Sequence, residues 1–519
     1  MRPLFAVLTL VQLVGWPVPA GAQRKPPPAL DPITYTVTIA DPERHLARVE
    51  ASIPANGRAA LELMMPVWSP GFYRVEDYAG RVRDLAARAL DGTPLGIEQS
   101  QPNRWTVRPR GKPVVLVSYQ VVCEQRSVTT NWVGDSLAVL NGAPTFLTLV
   151  ETASRPREVR LVLPTGWTAV TALDVALDSQ ALHYSAPDYD ALVDAPILAG
   201  YPSVHQFAVD SSVHYLVDVG EKGDWDGARA AGDLRRIALV TTRLWGGLPF
   251  RRYHFLNVFR RGGGGLEHAA SSLLTTNATR VATPEGYRGW LEFVSHEYFH
   301  AFNVKRLRPV ELGPFDYERP PRTGSLWMAE GFTSYYGNLA LPRAGIGDAT
   351  AYLASLSSAI RQLQRQPGRR IQTVEQSSRD VWINSLSGVN PDSTTVSYYV
   401  KGEVIAFLLD ARLRHATEGR RSLDDLMRLA YQRYSGARGY TALEFQQTAA
   451  EVAGMSLARW FRTATASTEE LDYSEALEWF GLRFGGSGDP ASEWTLEVRP
   501  DASPEQQRHL REWLWQGNT

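Results

Sequence analysis

Hydrophobic and polar positions change their rhythm near Phe207. Up to about Tyr201 the apolar residues come in short runs, Ile33 to Ile39, Leu61 to Val67, Val114 to Val122, Thr145 to Val150 and Val159 to Leu163. Turn signals, Asn141-Gly142 and Pro164-Thr165-Gly166 among them, separate these runs. Runs of this length between such breaks predict strands, hence an all-β domain over residues 23–205. Beyond Phe207 the period lengthens. A helix is predicted from Ala228 to Leu244, stopped by Gly246-Gly247 and Pro249, and a strand follows over Tyr253 to Phe259. After the glycine run Gly262 to Gly265, Thr283 as cap and Pro284 at the first helical position open a second helix. Its apolar residues Trp290, Leu291, Phe293, Val294 and Phe302 would fix it in a core. A loop with four prolines, Pro309, Pro314, Pro320 and Pro321, leads to a helix from Leu326 to Leu341, expected to stop at Pro342. The remainder reads as mostly helical, with capping boxes at Thr441/Glu444 and Ser503/Gln506. The expected architecture is multidomain α+β: the β domain, a mixed domain over 206–345, a helical domain over 346–484, and a Gly/Ser linker with a C-terminal tail over 485–519.

The second of these helices carries His296-Glu297-Tyr298-Phe299-His300. Residues four apart lie on one helical face, so both imidazoles can reach one ion, and zinc is the metal this arrangement usually holds. Glu297 occupies an adjoining face. There it can take a proton from water polarised by the ion without using a coordination position. The third ligand is expected to be Glu330, because the Pro-rich loop lets its helix fold back and because its flanks, Leu326 to Ala329 and Phe332, are apolar. A carboxylate buried there without a partner would be costly. Two His and one Glu leave a fourth position for water, the pattern of a catalytic rather than a structural zinc site, with one zinc per chain.

Composition narrows the setting. The 519 residues allow two to four domains, and 54 Lys+Arg against 55 Asp+Glu give a formal charge of -1, which argues for neither nucleic acid nor an anionic membrane as partner. Arg2, the apolar run Leu4 to Trp16 and Ala20-Gly21-Ala22 predict a signal peptide over 1–22, cleaved near Ala22. That run is shorter than a bilayer span, and no other stretch is apolar enough, so the expectation is an exported, periplasmic or secreted chain without a membrane span. Gln23 to Leu30, rich in proline, reads as a flexible lead-in. A single cysteine, Cys123, excludes an intramolecular disulfide and a cysteine zinc cluster, and it sits in a β-rich stretch that suggests burial.

Several segments together resemble the glycyl aminopeptidase family, exported bacterial members of the gluzincin metallopeptidases. They are the H-E-Y-F-H motif, the W-M-A-E-G-F-T-S-Y-Y run beginning at Trp327, and the G-G-L-E-H run ending at His268. Three further stretches extend the resemblance over most of the mature chain: Pro66 to Tyr73, Leu312 to Tyr317 and Leu471 to Leu477. It implies an N-terminal β domain, a thermolysin-like catalytic domain and a helical domain. The implied reaction is removal of small N-terminal residues, Gly or Ala, from peptides with a free N-terminus. It also implies that Glu267 pairs with the substrate ammonium and that Gly264 and Gly265 let substrate backbone approach closely. His268 either contacts substrate or packs. Tyr399, in Tyr398-Tyr399-Val400-Lys401-Gly402, resembles the segment whose tyrosine hydrogen-bonds the oxyanion, although only one of the two adjacent tyrosines can face the metal. One departure stands out. The interval from Phe484 through Gly485 to Asp489 and on to Trp494 is too short for the PDZ-like module that members usually carry there. Two rivals remain at this stage: a zinc endopeptidase with the same metal site, and a peptide-binding protein that keeps the fold without turnover. Oligomeric state is not legible.

Overall fold

The computed structural model describes residues 30–151, 154–383, 394–485 and 493–515. The expected signal peptide, the lead-in up to residue 29 and the Gly/Ser stretch from 486 lie outside the described residues. Among the described residues no helix is long and apolar enough to cross a membrane. The architecture is multidomain α+β, with a sheet-rich N-terminal domain, a central domain of sheet and helices and a helical C-terminal domain.

The N-terminal domain is built on an eight-stranded sheet in which Ile33–Thr38, Leu46–Pro54 and Val114–Val122 are central. Buried and half-exposed positions alternate along the first and last of these, the period-two pattern of a sheet covered on one face. Two four-stranded sheets share in closing the core, one around Leu61–Met64 and Arg104–Val107, the other around Leu137–Leu140 and Ile197–Gly200. The strand expected over Thr145 to Val150 is corrected. Residues Gly142–Thr145 form a helical turn, and only Thr148–Leu149 pair as a strand. The carbonyls there have other partners: buried Tyr119, Tyr189 and Tyr35 donate to the oxygens of Thr145, Phe146 and Leu147, each at 2.8 Å. A hydroxyl satisfies a buried carbonyl as well as a neighbouring strand does. Cys123 is fully buried, and burial pushes its thiol up to about 12.

The central domain contains a five-stranded sheet in the order Ser203–Val209, Ser212–Gly220, Arg252–Phe259, Ser271–Thr276, Gly264–Glu267. It opens at Ser203, ahead of the boundary expected at 206. The last strand is an edge, antiparallel to Ser271–Thr276 with Gly264 opposite Thr275 and Glu267 opposite Ser272. The motif helix, Pro284–Phe299, packs beside this edge. Thr283 caps it as expected, its Oγ1 accepting from the Gly286 N–H at 3.0 Å.

The helix that carries Glu330 differs from its expectation in two ways. Trp327–Phe332 form a π-helical segment before the α-helix Thr333–Arg343 begins, and Pro342 lies inside the last turn rather than stopping the helix. A proline costs a helix one hydrogen bond and local crowding, which the final turn tolerates. The wide π turn abuts the helix Tyr398–Ala416 backbone to backbone. A Cβ on Gly402 would lie 2.2 Å from Trp327 O, and one on Gly331 2.4 Å from Gly402 Cα. Both expected capping boxes form. The segment expected as a tail is built into the helical body: Leu482–Gly485 pair with Thr495–Val498, and Trp513 is fully buried, its Nε1 donating to Tyr335 Oη at 2.7 Å.

Candidate active site

His296 lies in the last turn of the motif helix and His300 is its C-cap, so the two rings project from the helix end toward the π segment. Their Nε2 atoms face each other at 3.0 Å, and Glu330 Oε2 lies 3.1 Å from His300 Nε2 and 3.5 Å from His296 Nε2. The other nitrogen of each ring is occupied: His300 Nδ1 donates to Asn303 O at 2.9 Å, and His296 Nδ1 meets Ser334 Oγ at 3.3 Å. Both Nε2 atoms are thereby turned toward the carboxylate. Ligands held about 2.0–2.1 Å from a tetrahedral ion sit roughly 3.4 Å from one another, so these three atoms fit a zinc ion. Burial works against charge on Glu330 and His300, and their mutual attraction opposes it, drawing the carboxyl down and the imidazole up. A cation among the donors would take the place of the proton that His300 Nε2 shares with the carboxylate. Three donor atoms gathered here call for a positive charge at their centre.

Asn303 ties the two halves of this cluster together. Its side-chain amide donates to Met328 O, Ala329 O and Thr333 Oγ1 at 3.2, 3.2 and 3.0 Å, while its carbonyl orients His300. The next residue, Val304, has φ 107°, a backbone state that a β-branched residue avoids. That strain lies between the metal-binding helix end and Lys305, whose Nζ pairs with Asp194 of the β domain at 2.5 Å.

Along the edge strand, alternate residues face opposite sides. Gly265 and Glu267 face the cluster. A Cβ on Gly265 would lie 2.3 Å from Glu297 Oε1, so the absence of a side chain there is what lets the Glu297 carboxylate rest against the strand. Glu267 is 4% exposed and its Oε1 has no hydrogen-bond partner. Burial pushes both Glu267 and Glu297 upward, and the charge of His300 opposes the shift in each. Gly71 of the β domain, in the left-handed region at φ 93°, presses on the same carboxylate: a Cβ there would lie 2.4 Å from Glu267 Oε1. The β domain therefore forms one wall of the site. Gly264 is exposed at the far end of the strand.

The structure takes His268 elsewhere. It faces away from the cluster, buried, with Nδ1 3.2 Å from Asp194 Oδ1, and the Ala269 N–H donates to Asp194 Oδ2 at 2.7 Å. Of the two alternatives for His268, substrate contact or packing, this arrangement is the packed one, because strand alternation puts residue 268 on the face opposite Glu267. Tyr399 lines a cleft of about 390 Å³ together with Gly265, His296 and Glu297, while Tyr398 is fully buried behind it. The Tyr399 ring lies near that of His296, centroids 6.3 Å apart. Asn303, Ser334, Asp194, Lys305 and Gly71 are absent from the expected site. Asn303 and Lys305 lie within five residues of the motif and a sequence signal was available for them, but Asp194 and Gly71 come from another domain.

Residues 34–201 match the family profile described as the peptidase M61 N-terminal domain, and 289–405 match that described as M61 glycyl aminopeptidase. No curated protein matches the chain. Among solved structures, an aminopeptidase N family protein from Idiomarina loihiensis is similar at TM-score 0.82 and 29% identity, over 87% of this chain and 78% of that one. A mutant M1 zinc metallopeptidase from Deinococcus radiodurans bound to a Tyr-Ser-Ala substrate shares the fold at TM-score 0.54 and 15% identity, over 86% and 95%. Yeast LTA4 hydrolase in complex with bestatin shares it at TM-score 0.51 and 13% identity, over 86% and 68%. With both profiles matched in order, the second of them across the residues that gather His296, His300 and Glu330, the chain belongs to the M61 glycyl aminopeptidase family and is a peptidase.

Proposed function

We propose that the protein is a zinc aminopeptidase that removes a small N-terminal residue, Gly or Ala, from peptides. The observation that carries this reading is Glu267: a buried carboxylate with an unpartnered oxygen, on the same strand face as the His-His-Glu cluster. An anion in that position suits a substrate ammonium, and pairing with it measures one residue from the chain end. His296, His300 and Glu330 would hold the ion. What zinc supplies when bound is Lewis-acid polarisation of water and of the scissile carbonyl.

The chain's own groups do the rest. Glu267 fixes the free N-terminus, and the unpaired edge of Gly264–Glu267 offers backbone groups to an extended substrate. Glu297 accepts the proton as water adds to the carbonyl carbon, holds it on its carboxylate, and passes it to the leaving amine. Its pressed position against Gly265 orients that carboxylate along the strand. Tyr399 Oη donates to the oxygen on which negative charge develops, an interaction strongest in the transition state. Gly71 narrows the space beside Glu267, consistent with a small first residue.

The test is turnover of alanyl- and glycyl-p-nitroanilide, free and N-acetylated, by the purified chain with its zinc content measured on the same sample. Hydrolysis of the free forms alone, with about one zinc per chain, is the expected result. Cleavage of the acetylated forms would show an endopeptidase instead.

A further inference from the structure

We propose that Arg126 and Arg260 form a carboxylate subsite at the far end of the substrate edge, favouring peptides that carry a carboxylate on their third or fourth residue. The proposal rests on the aminopeptidase reading, because that reading sets where the peptide begins.

Arg260 follows the strand Arg252–Phe259, and its backbone N–H donates to Thr276 O at 3.0 Å. One arm of its guanidinium donates to Thr275 Oγ1 at 2.9 Å, and Thr275 is the register partner of Gly264. The group is therefore level with the outer end of the edge strand. Its Nε and its other terminal nitrogen are buried without partners. Burial and the neighbouring charge of Arg126 hold it at about 10, below the ordinary arginine range, and among the described residues no carboxylate is paired with it. Arg126 is exposed and stacked over Trp132, 4.0 Å from the ring centroid. Val128, two residues on, comes within 3.8 Å of where a Cβ on Gly264 would lie, which carries this segment over the strand end. Fully buried Arg155 and Arg343, by contrast, are paired with Glu151 and Asp424. Two adjacent guanidinium groups without an acid repel each other and attract an anion.

The peptide must run toward them. Glu267 takes its first residue, Glu297 rests against Gly265, and the portion beyond the scissile bond then continues past Gly264. From Glu267 to Gly264 an extended chain covers about 10 Å, so a third or fourth residue arrives beside Arg260 and Arg126. The carboxylate can be the C-terminus of a short peptide or an acidic side chain of a longer one.

The experiment compares Ala-Ala-Ala, Ala-Ala-Ala-amide, Ala-Ala-Glu-amide and acetyl-Ala-Ala-Ala on the zinc-loaded chain, following release of the first residue. The ratio of kcat/KM for the acid over the amide is expected to be about tenfold. It should fall toward one in Arg126→Gln and in Arg260→Gln, and recover in part in Arg260→Lys. A variant that merely folds poorly lowers both rates and leaves the ratio where it was. Recovery of the amide's rate by the Glu side chain would identify any carboxylate at that reach as the ligand, and its failure would restrict the subsite to the C-terminus. A ratio near one in the natural chain, or one unchanged in both Gln variants, overturns the proposal. Cleavage of acetyl-Ala-Ala-Ala is a separate failure, that of the aminopeptidase register, and the subsite falls with it.

Discussion

Gly265 lies so close beneath Glu297 that a single added carbon on residue 265 would stand 2.3 Å from the carboxylate oxygen and 2.6 Å from Phe293 Cζ. Both atoms end side chains that line the cleft, so an added carbon would push the Glu297 carboxylate and the Phe293 ring outward from where they now rest. Gly265→Ala should therefore displace the proposed base while leaving His296, His300 and Glu330 in place. The expected outcome is loss of about two orders of magnitude in kcat with zinc content unchanged, read by steady-state kinetics and metal analysis. Full activity in this variant would mean that the carboxylate moves freely, against the packing.

Glu297→Gln keeps the shape and removes the proton acceptor. Turnover should drop by 10²-fold or more, with zinc still bound and peptide binding retained in calorimetry. Undiminished turnover would remove Glu297 from the mechanism.

The two adjacent tyrosines separate by exposure. Tyr399 lines the cleft and Tyr398 is enclosed. Tyr399→Phe should lower kcat by about 10²-fold with little change in KM, whereas Tyr398→Phe should act mainly on thermal stability. The reverse pattern in kinetics and melting would assign the oxyanion contact to Tyr398.

Asp194 joins the β domain to the strand that carries Glu267, accepting from Lys305, His268 and the Ala269 N–H. Burial works against its charge, but Lys305 beside it leaves its carboxyl well below the usual carboxylate range. A carboxyl depressed in the native state stabilises above its unfolded pKa, near 4, and that contribution disappears as pH falls through the lower native value. Asp194→Asn strands Lys305 without its partner and should cost about 3 kcal/mol at neutral pH. Melting curves from pH 7 down to about pH 3 test this: the gap between natural chain and variant should be constant above about pH 5 and begin to narrow below about pH 4.

What local sequence determines is the inventory. The spacing of His296 and His300 puts them on one face of any helix, Thr283 and Pro284 start that helix, and alternating runs such as Val114 to Val122 become strands with one buried face. These follow from periods and caps, which depend on neighbours in the chain. Two local signals were overridden: distant tyrosine hydroxyls took the carbonyls of 145–147, and the last turn of its helix accommodated Pro342. Only the tertiary structure decided the rest. It placed Gly71 against Glu267, turned His268 toward Asp194, left Arg260 beside Arg126 without an acid, and packed Trp513 into the helical body. Each of these depends on contacts between residues far apart in sequence, where a side chain's partner is set by which surfaces close over one another, and no period or cap along the chain encodes that closure.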